Sequence, residues 1–182
     1  MSTPKGDGFV IFFAVIVCVI CSLMLSATAS LLKKPQEYNK EIDRKMNVLK
    51  AFGVSIRDEQ GKRIKAPEVE KYFTDHISEV IIDGSTGQIV ADRAAAKQPL
   101  PLYQWKEGDA VLKYAFPISG KGLWSTIRGY LALEGDLATV SGVTFYEHGE
   151  TPGLGGECEN PVWCATWKGK TILDEPNIQK EG

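Results

Sequence analysis

The most restrictive feature of this sequence is an uncharged apolar run near its N-terminus. Phe9 to Leu32 is a run of 24 residues without a charged side chain. As an α-helix such a run rises about 36 Å, which is enough to cross a bilayer hydrocarbon core of ~30 Å. The run therefore predicts a single transmembrane helix over residues 9–32, preceded by an N-terminal tail of residues 1–8.

A cleavable signal peptide is the alternative interpretation of the same run. Lys5 would form a weak positively charged start, and Ala27-Thr28-Ala29 is similar to a small-residue cleavage site. However, the apolar stretch before that site, Phe9 to Leu25, is longer than the ~7–15 residues usual in signal peptides, and the run continues to Leu32. We therefore favour a retained helix.

Basic residues are denser after the run than before it. The positive-inside rule would therefore place the following domain in the cytoplasm, but this rule weakens for folded domains.

Composition removes several functional classes. The 182 residues contain 21 lysines and arginines against 23 acids, a formal charge of −2, so no broad basic surface for a nucleic acid is expected. Two histidines and four cysteines leave little material for a metal site, and none is predicted. Cys158 and Cys164 could form a disulfide in an oxidising compartment, and the sequence leaves this open.

The polar segment after the apolar run predicts a helical linker over residues 33–52. Ile42, Met46 and Leu49 recur at helical spacing, and Pro35 near the beginning suits a helix N-terminus. The linker separates the predicted anchor from a domain over residues 53–182.

Short helical and strand patterns fill that domain. The sequence predicts a short helix opened by Pro67, two hairpins and one further strand, with a loop at 91–104. The predicted strands cover residues 79–83, 88–90, 109–118, 129–134 and 139–146. A helix followed by antiparallel strands indicates an α+β fold, rather than a doubly wound sheet.

A glycine-rich segment at residues 150–157 is the densest candidate for a binding loop. Gly153, Gly155 and Gly156 allow a backbone to approach a ligand closely, while Thr151 supplies a hydroxyl and Leu154 an apolar face. The segment is neither a phosphate-binding P-loop nor a dinucleotide fingerprint. From these residues alone, a structural turn remains an alternative.

Three stretches together are similar to one family. These are Gly122-Leu123-Trp124, the segment S-G-V-T-F-Y-E-H-G-E-T-P-G-L-G-G-E at 141–157, and E-N-P-V-W at 159–163. They resemble the C subunit of the bacterial sodium-translocating NADH:quinone oxidoreductase. The G subunit of the related ion-translocating electron-transport complex shares the anchor and T-P-G-L-G but is less similar around residues 160–163.

The resemblance implies an FMN-binding domain that transfers electrons within a membrane complex. Its implied cofactor-binding residues are Trp124, Glu150, Thr151, Gly153, Leu154 and Gly155. Trp124 could instead be a core residue, and Glu150 could pair with solvent or a neighbouring subunit. Because the flavin would perform the redox chemistry, no acid-base catalytic residue is expected. The two histidines, His76 and His148, are predicted to be surface or capping residues.

In the family, FMN is attached through a phosphoester to a threonine in a D-x-x-S-G-A-T motif. The 182 residues of this sequence lack that motif, so the attachment site is expected beyond Gly182. The domain over 53–182 is therefore expected to be C-terminally incomplete. Ser141-Gly142-Val143-Thr144 is similar to S-G-A-T, but Ala138 stands where the motif has an acid. Thr144 is therefore predicted to be an unmodified strand residue.

The resemblance also implies the setting of the protein. The complex oxidises NADH, reduces ubiquinone and moves sodium ions out of the cytoplasm, and its other subunits and membrane lipid would be the partners. The family implies a single-pass protein of the bacterial inner membrane with its folded domain in the periplasm. A membrane-anchored binding or assembly module without flavin is the alternative from another functional class.

Overall fold

The protein is described here by a computed structural model covering residues 6–57 and 61–172. The predicted N-terminal tail and the end of the predicted domain lie partly outside these residues. The chain divides into two compact units, one ending at Glu41 and one beginning at Ile42. Each unit is described by itself below.

The first unit consists of the N-terminal part of helix α1, which runs over Asp7–Ala51. Its apolar part is long and hydrophobic enough to span a membrane, with a mean hydropathy of 3.0 in its most apolar window. The apolar side chains there are exposed, as expected for a helix that contacts lipid. The predicted spanning segment thus forms a helix.

The residues of the predicted linker are helical, but they do not begin a new helix near Pro35. Pro35 lies inside α1, which continues without interruption to Ala51. A proline inside a helix costs about 3 kcal/mol because one hydrogen bond is lost. That cost is local, and the helix-favouring residues on both sides continue the helix through it.

The second unit is built on a six-stranded antiparallel sheet in the order β2-β1-β3-β4-β5-β6. Its strands are β1 Ile77–Asp83, β2 Ile89–Val90, β3 Pro99–Glu107, β4 Ala110–Lys121, β5 Thr126–Glu134 and β6 Val140–Glu147. Besides the end of α1, its helices are α2 Ala66–His76, α3 Pro161–Ala165 and the 3-10 helices Arg93–Ala95 and Gly155–Glu159. The predicted α+β class is confirmed.

Several predicted elements are present with small changes of boundary. Helix α2 begins where Pro67 indicated, and the backbone N–H of Lys65 donates to the Glu68 carboxylate at 3.2 Å, which caps its first turn. The β1-β2 and β5-β6 hairpins occur where their Gly-containing turns indicated. Strand β4 continues past Pro117 and beyond its predicted end, as far as Lys121.

The predicted loop at 91–104 is wrong only in its last part, because residues 99–104 belong to strand β3. Pro99 and Pro101 pair with Asp83 and Ile81 of β1. Strand β4 pairs with β3 only from Tyr103 onwards, so the prolines have a neighbouring strand on one side only. Proline is tolerated at such partly free edges because no ladder hydrogen bond is required there.

The hydrophobic core joins one face of the sheet to the last turns of α1 and to α2. Small side chains make the close approach possible: Ala115 of β4 lies opposite Ala132 of β5, which lies opposite Gly142 of β6. A Cβ atom on Gly142 would overlap the carbonyl oxygen of Ala51. The end of α1 therefore packs directly on the backbone of β6. The core consists of Ile42, Met46, Val48, Leu49, Ala51, Phe52, Val69, Phe73, Ile77, Tyr103, Ala115, Tyr130 and Ala132.

Gly142→Ala should destabilise this unit by about 1–3 kcal/mol, because the new methyl group meets backbone that must move. Gly120→Ala is the matched control, since a Cβ atom there meets nothing within 4 Å. Thermal unfolding of both variants in detergent, followed by near-ultraviolet circular dichroism, measures the difference. Equal unfolding midpoints for the two variants would contradict this packing.

Candidate functional site

Two loops of the second unit carry strongly exposed apolar side chains. One is the turn at residues 122–125 between β4 and β5, and the other is the glycine loop that follows β6. Leu123 and Trp124 on the turn are 81% and 72% exposed, and Leu154 on the glycine loop is 73% exposed. Trp124 is therefore not a core residue. A recess of about 560 Å³ lies along residues 119–126.

Glu150 connects the two loops through its carboxylate. Its Oε1 accepts hydrogen bonds from the backbone N–H groups of Trp124 and Ser125, at 3.0 and 3.1 Å. The residue is only 8% exposed. These N–H donors, Trp124 first, hold the pKa of the Glu150 carboxyl below its ordinary value, although burial opposes them. A buried anion thus fixes the turn that presents Leu123 and Trp124.

Two glycines make room for this carboxylate. A Cβ atom on Gly122 would overlap Oε1 of Glu150, and a Cβ atom on Gly155 would lie 3.0 Å from its Cβ and Oε2. Any larger residue at 122 would displace the carboxylate or the turn. Gly122 and Gly155 are therefore explained by the side chain that lies between them.

A second set of contacts reinforces the connection. The backbone N–H of Gly149 donates to the Ser125 hydroxyl, and the backbone N–H of Glu150 donates to Nδ1 of His148 at 3.3 Å. Nε2 of His148 lies 3.5 Å from a carboxylate oxygen of Glu159. The His148 side chain is 12% exposed, so of its two predicted roles, surface or capping, the capping role is the one observed. An acceptor Nδ1 places the proton on Nε2, toward Glu159.

The tip of the glycine loop is open. Gly153 has a φ of +73°, which favours glycine, and a Cβ atom there would meet nothing within 4 Å. The carbonyl of Thr151 accepts from the N–H groups of Leu154 and Gly156, which closes the turn. Thr151 itself is exposed. The loop presents a hydroxyl, a leucine and unobstructed backbone.

The structure brings together most of the residues singled out in the sequence. Trp124, Glu150 and Gly155 are joined through the Glu150 side chain, and Thr151, Gly153 and Leu154 lie on the loop that begins there. Sequence reasoning missed Gly122, Ser125 and His148 as members of this arrangement. The sequence signal that could have indicated this arrangement was Gly122, because it directly precedes Leu123 and Trp124.

Thr144 lies apart from these loops in the interior of strand β6. It is 6% exposed and pairs with Tyr130 of β5. The prediction that it is a strand residue is confirmed. Among residues 6–57 and 61–172, no group of three histidine, cysteine or acidic side chains is placed to hold a metal ion.

Comparison with known proteins links these loops to a family. The model of the FMN-binding domain matches residues 122–181, beginning at the turn that Glu150 fixes. The C subunit of the Na(+)-translocating NADH-quinone reductase from Vibrio campbellii is 35% identical over 185 residues, covering 86% of this chain and 70% of that protein. The chain belongs to the family of C subunits of the Na(+)-translocating NADH-quinone reductase. The corresponding subunit from Pseudomonas aeruginosa is 34% identical over 203 residues, covering 96% of this chain and 76% of the relative.

Solved structures are consistent with membership of this family. Shewanella oneidensis NqrC is 28% identical with a TM-score of 0.63, over 76% of this chain and 74% of that one. The C subunit of the same reductase from Parabacteroides distasonis is 27% identical with a TM-score of 0.65, over 78% and 71% of the two chains. The family resemblance drawn from the sequence is thereby confirmed.

Proposed function

We propose that this chain is the FMN-carrying electron-transfer subunit of a sodium-translocating NADH:quinone oxidoreductase. The complex would oxidise NADH, reduce ubiquinone and move sodium ions out of the cytoplasm. The observation that carries the proposal is the pair of exposed apolar loops joined by Glu150, which lie within the segment matched by the FMN-binding domain. The relatives are named as subunits of such a reductase, and these names support the proposed reaction and ion transport of the complex.

The residues of the two loops fit a flavin. An isoalloxazine ring is flat and apolar on its faces, with polar atoms on its edges. Exposed Trp124 and Leu154 offer apolar surface for its faces, and Thr151 offers a hydroxyl for an edge. The open backbone at Gly153 permits close approach. When bound, FMN supplies the redox chemistry.

The protein's own contribution is to bind, orient and shield. Leu123, Trp124 and Leu154 would exclude water from the cofactor, which strengthens the electrostatic interactions there. Glu150 is already bonded to backbone N–H groups, so we propose that it positions the loops rather than accepting or donating a proton. His148 is likewise occupied on both ring nitrogens. No acid-base catalytic residue is proposed.

The proposal includes a location. We propose that the apolar part of α1 is a retained anchor in the inner membrane and that the second unit lies in the periplasm. Alkaline phosphatase fused after Gly182 should then be active, and N-terminal sequencing should show no cleavage near Ala29. An inactive phosphatase fusion together with an active cytoplasmic reporter at the same position would reverse the orientation.

The function is tested by measuring flavin in the assembled complex. The protein, coexpressed with the other subunits and a flavin transferase, should carry FMN that is detected by absorbance and by fluorescence after denaturing electrophoresis. The fluorescent band should persist in Thr144→Ala, because Thr144 is buried in β6. A complex without flavin would support a binding or assembly module, and a band lost in Thr144→Ala would make that residue the attachment site.

A further inference from the structure

Two cysteines lie next to each other directly after the glycine loop. Cys158 belongs to the 3-10 helix Gly155–Glu159, and Cys164 belongs to α3. The Cys164 thiol donates to the carbonyl oxygen of Cys158 at 3.3 Å, and both thiols are free. By standard bond lengths a carbonyl oxygen lies about 2.4 Å from its own Cα. The Cys164 sulfur is therefore within about 5.7 Å of the Cys158 Cα.

The connection between the two helices keeps the cysteines in this arrangement. The Asn160 side chain accepts from the Val162 N–H at 2.9 Å and donates to Glu157 at 2.8 Å. Pro161 begins α3 and restricts the backbone further. Because the Cys164 thiol already contacts the Cys158 backbone, a bond between the two sulfurs would link two short helices that are already adjacent.

Both thiols can be reached by an oxidant. Each is only partly buried, and Cys164 also lines a groove of about 490 Å³ beside Lys50 and Lys168. Burial raises the pKa of both thiols, and the neighbouring Cys158 adds to this effect on Cys164. Since the thiolate is the attacking species, uncatalysed oxidation by air should be slow, and exchange with a disulfide donor is the expected route.

We propose that Cys158 and Cys164 form an intramolecular disulfide that fixes the end of the glycine loop to α3. One thiolate attacks the disulfide of a donor, such as glutathione disulfide or a protein disulfide oxidase, and releases one donor thiol. The second thiolate then displaces the other donor thiol. In total two cysteine thiols are oxidised to one disulfide, one donor disulfide is reduced to two thiols, and the two protons leave with them.

The disulfide would act on the loop that carries Leu154. The 3-10 helix containing Cys158 begins at Gly155, immediately after that leucine. A link to α3 would hold the end of this loop beside that helix, and the closed segment would gain stability because fewer unfolded conformations remain available to it. The bond forms in an oxidising compartment. The proposal does not depend on flavin binding.

The test uses the full chain purified in detergent and incubated with glutathione disulfide. Digestion after glutamate residues cuts at Glu159, which separates Cys158 and Cys164 into two peptides. We expect mass spectrometry without reductant to find these peptides joined, with the loss of two hydrogen atoms, and reductant to release them. The joined peptides should be absent in Cys158→Ser and Cys164→Ser.

Variants of the other two cysteines provide the matched control. Cys18 and Cys21 lie in the apolar part of α1, and their replacement by serine should leave the joined peptides unchanged. The oxidised chain should also unfold at a higher temperature than the reduced chain. Recovery of Cys158 and Cys164 as separate glutathione adducts or free thiols in a chain with native circular dichroism would overturn the proposal.

Discussion

Replacement of Glu150 by alanine should uncouple the two loops and slow electron transfer through the flavin. The turn at residues 122–125 would lose the carboxylate that accepts from Trp124 and Ser125, and the loop beyond β6 would lose its attachment to that turn. A residue that orients the groups contacting a bound metal commonly contributes on the order of tenfold or more to affinity or activity, and we expect an effect of the same order here. We therefore expect quinone reduction by the purified complex, measured per bound flavin, to fall by about that factor.

Replacement of the same residue by glutamine distinguishes charge from shape. A glutamine side chain would keep an oxygen acceptor for the same two N–H groups, so Glu150→Gln should retain more activity per bound flavin than Glu150→Ala. The sheet should fold in both variants, because the core contacts of α1 and α2 do not include this residue. Equal quinone reduction per bound flavin in wild type and Glu150→Ala would show that the connection between the loops is unimportant for the cofactor.

Acidification should weaken the connection that Glu150 makes between the two loops. Because its folded pKa lies below the ordinary value of 4.5, the Glu150 carboxylate contributes stability at higher pH, and that contribution is lost as the pH falls through the lowered pKa. Asp83 and Asp136 also have lowered pKa values and act in the same direction. The unfolding midpoint of wild type should therefore fall on acidification below about pH 4.5 more steeply than that of Glu150→Gln.

Local sequence signals predicted the parts of the fold that local interactions determine. The apolar run, the proline and capping glutamate of α2, and the turn residues of two hairpins each specify structure within a few residues. Strand β3 was missed because its prolines are unfavourable in a strand with partners on both sides. They are accommodated because β4 pairs with β3 only from Tyr103, which the sequence of residues 91–104 does not reveal. The continuity of α1 through Pro35 is likewise decided by both flanking segments.

The candidate site shows more clearly that local sequence patterns do not reveal contacts between distant residues. The glycine loop was visible as a pattern, but the carboxylate that organises it acts on backbone groups 25 and 26 residues earlier in the chain. Glu150 was predicted as a cofactor contact, whereas the structure directs its carboxylate to the turn that presents Trp124. No local pattern pairs Gly122 with Glu150, because only the sheet brings β4, β5 and β6 into register. Sequence therefore indicated the residues of the site but not how they are connected.

Leu154→Asp should produce the largest effect on electron transfer with the smallest effect on folding. Leu154 is 73% exposed, so its replacement removes little packing within the protein. If the flavin ring covers this side chain, aspartate would lose an apolar contact and place an anion beside a centre that gains negative charge on reduction. The reduction potential should fall by on the order of tens of millivolts, and quinone reduction by the complex should slow.

Leu137→Asp is the matched control for this prediction. Leu137 is also exposed, at 53%, but it follows β5 in the chain, at the opposite end of that strand from the turn carrying Trp124. The control should therefore leave both the flavin potential and quinone reduction at wild-type values. Redox titration of the two purified variant complexes measures the difference directly.

The outcome also separates a cofactor contact from a structural turn. A turn whose leucine serves only the fold would respond to Leu154→Asp with impaired assembly, and any complex that formed would keep an unshifted potential. An assembled complex with a lowered potential requires the new charge to lie close to the flavin, because screening by water and salt removes the influence of distant exposed charges. An unchanged potential together with wild-type quinone reduction would instead place the flavin away from Leu154.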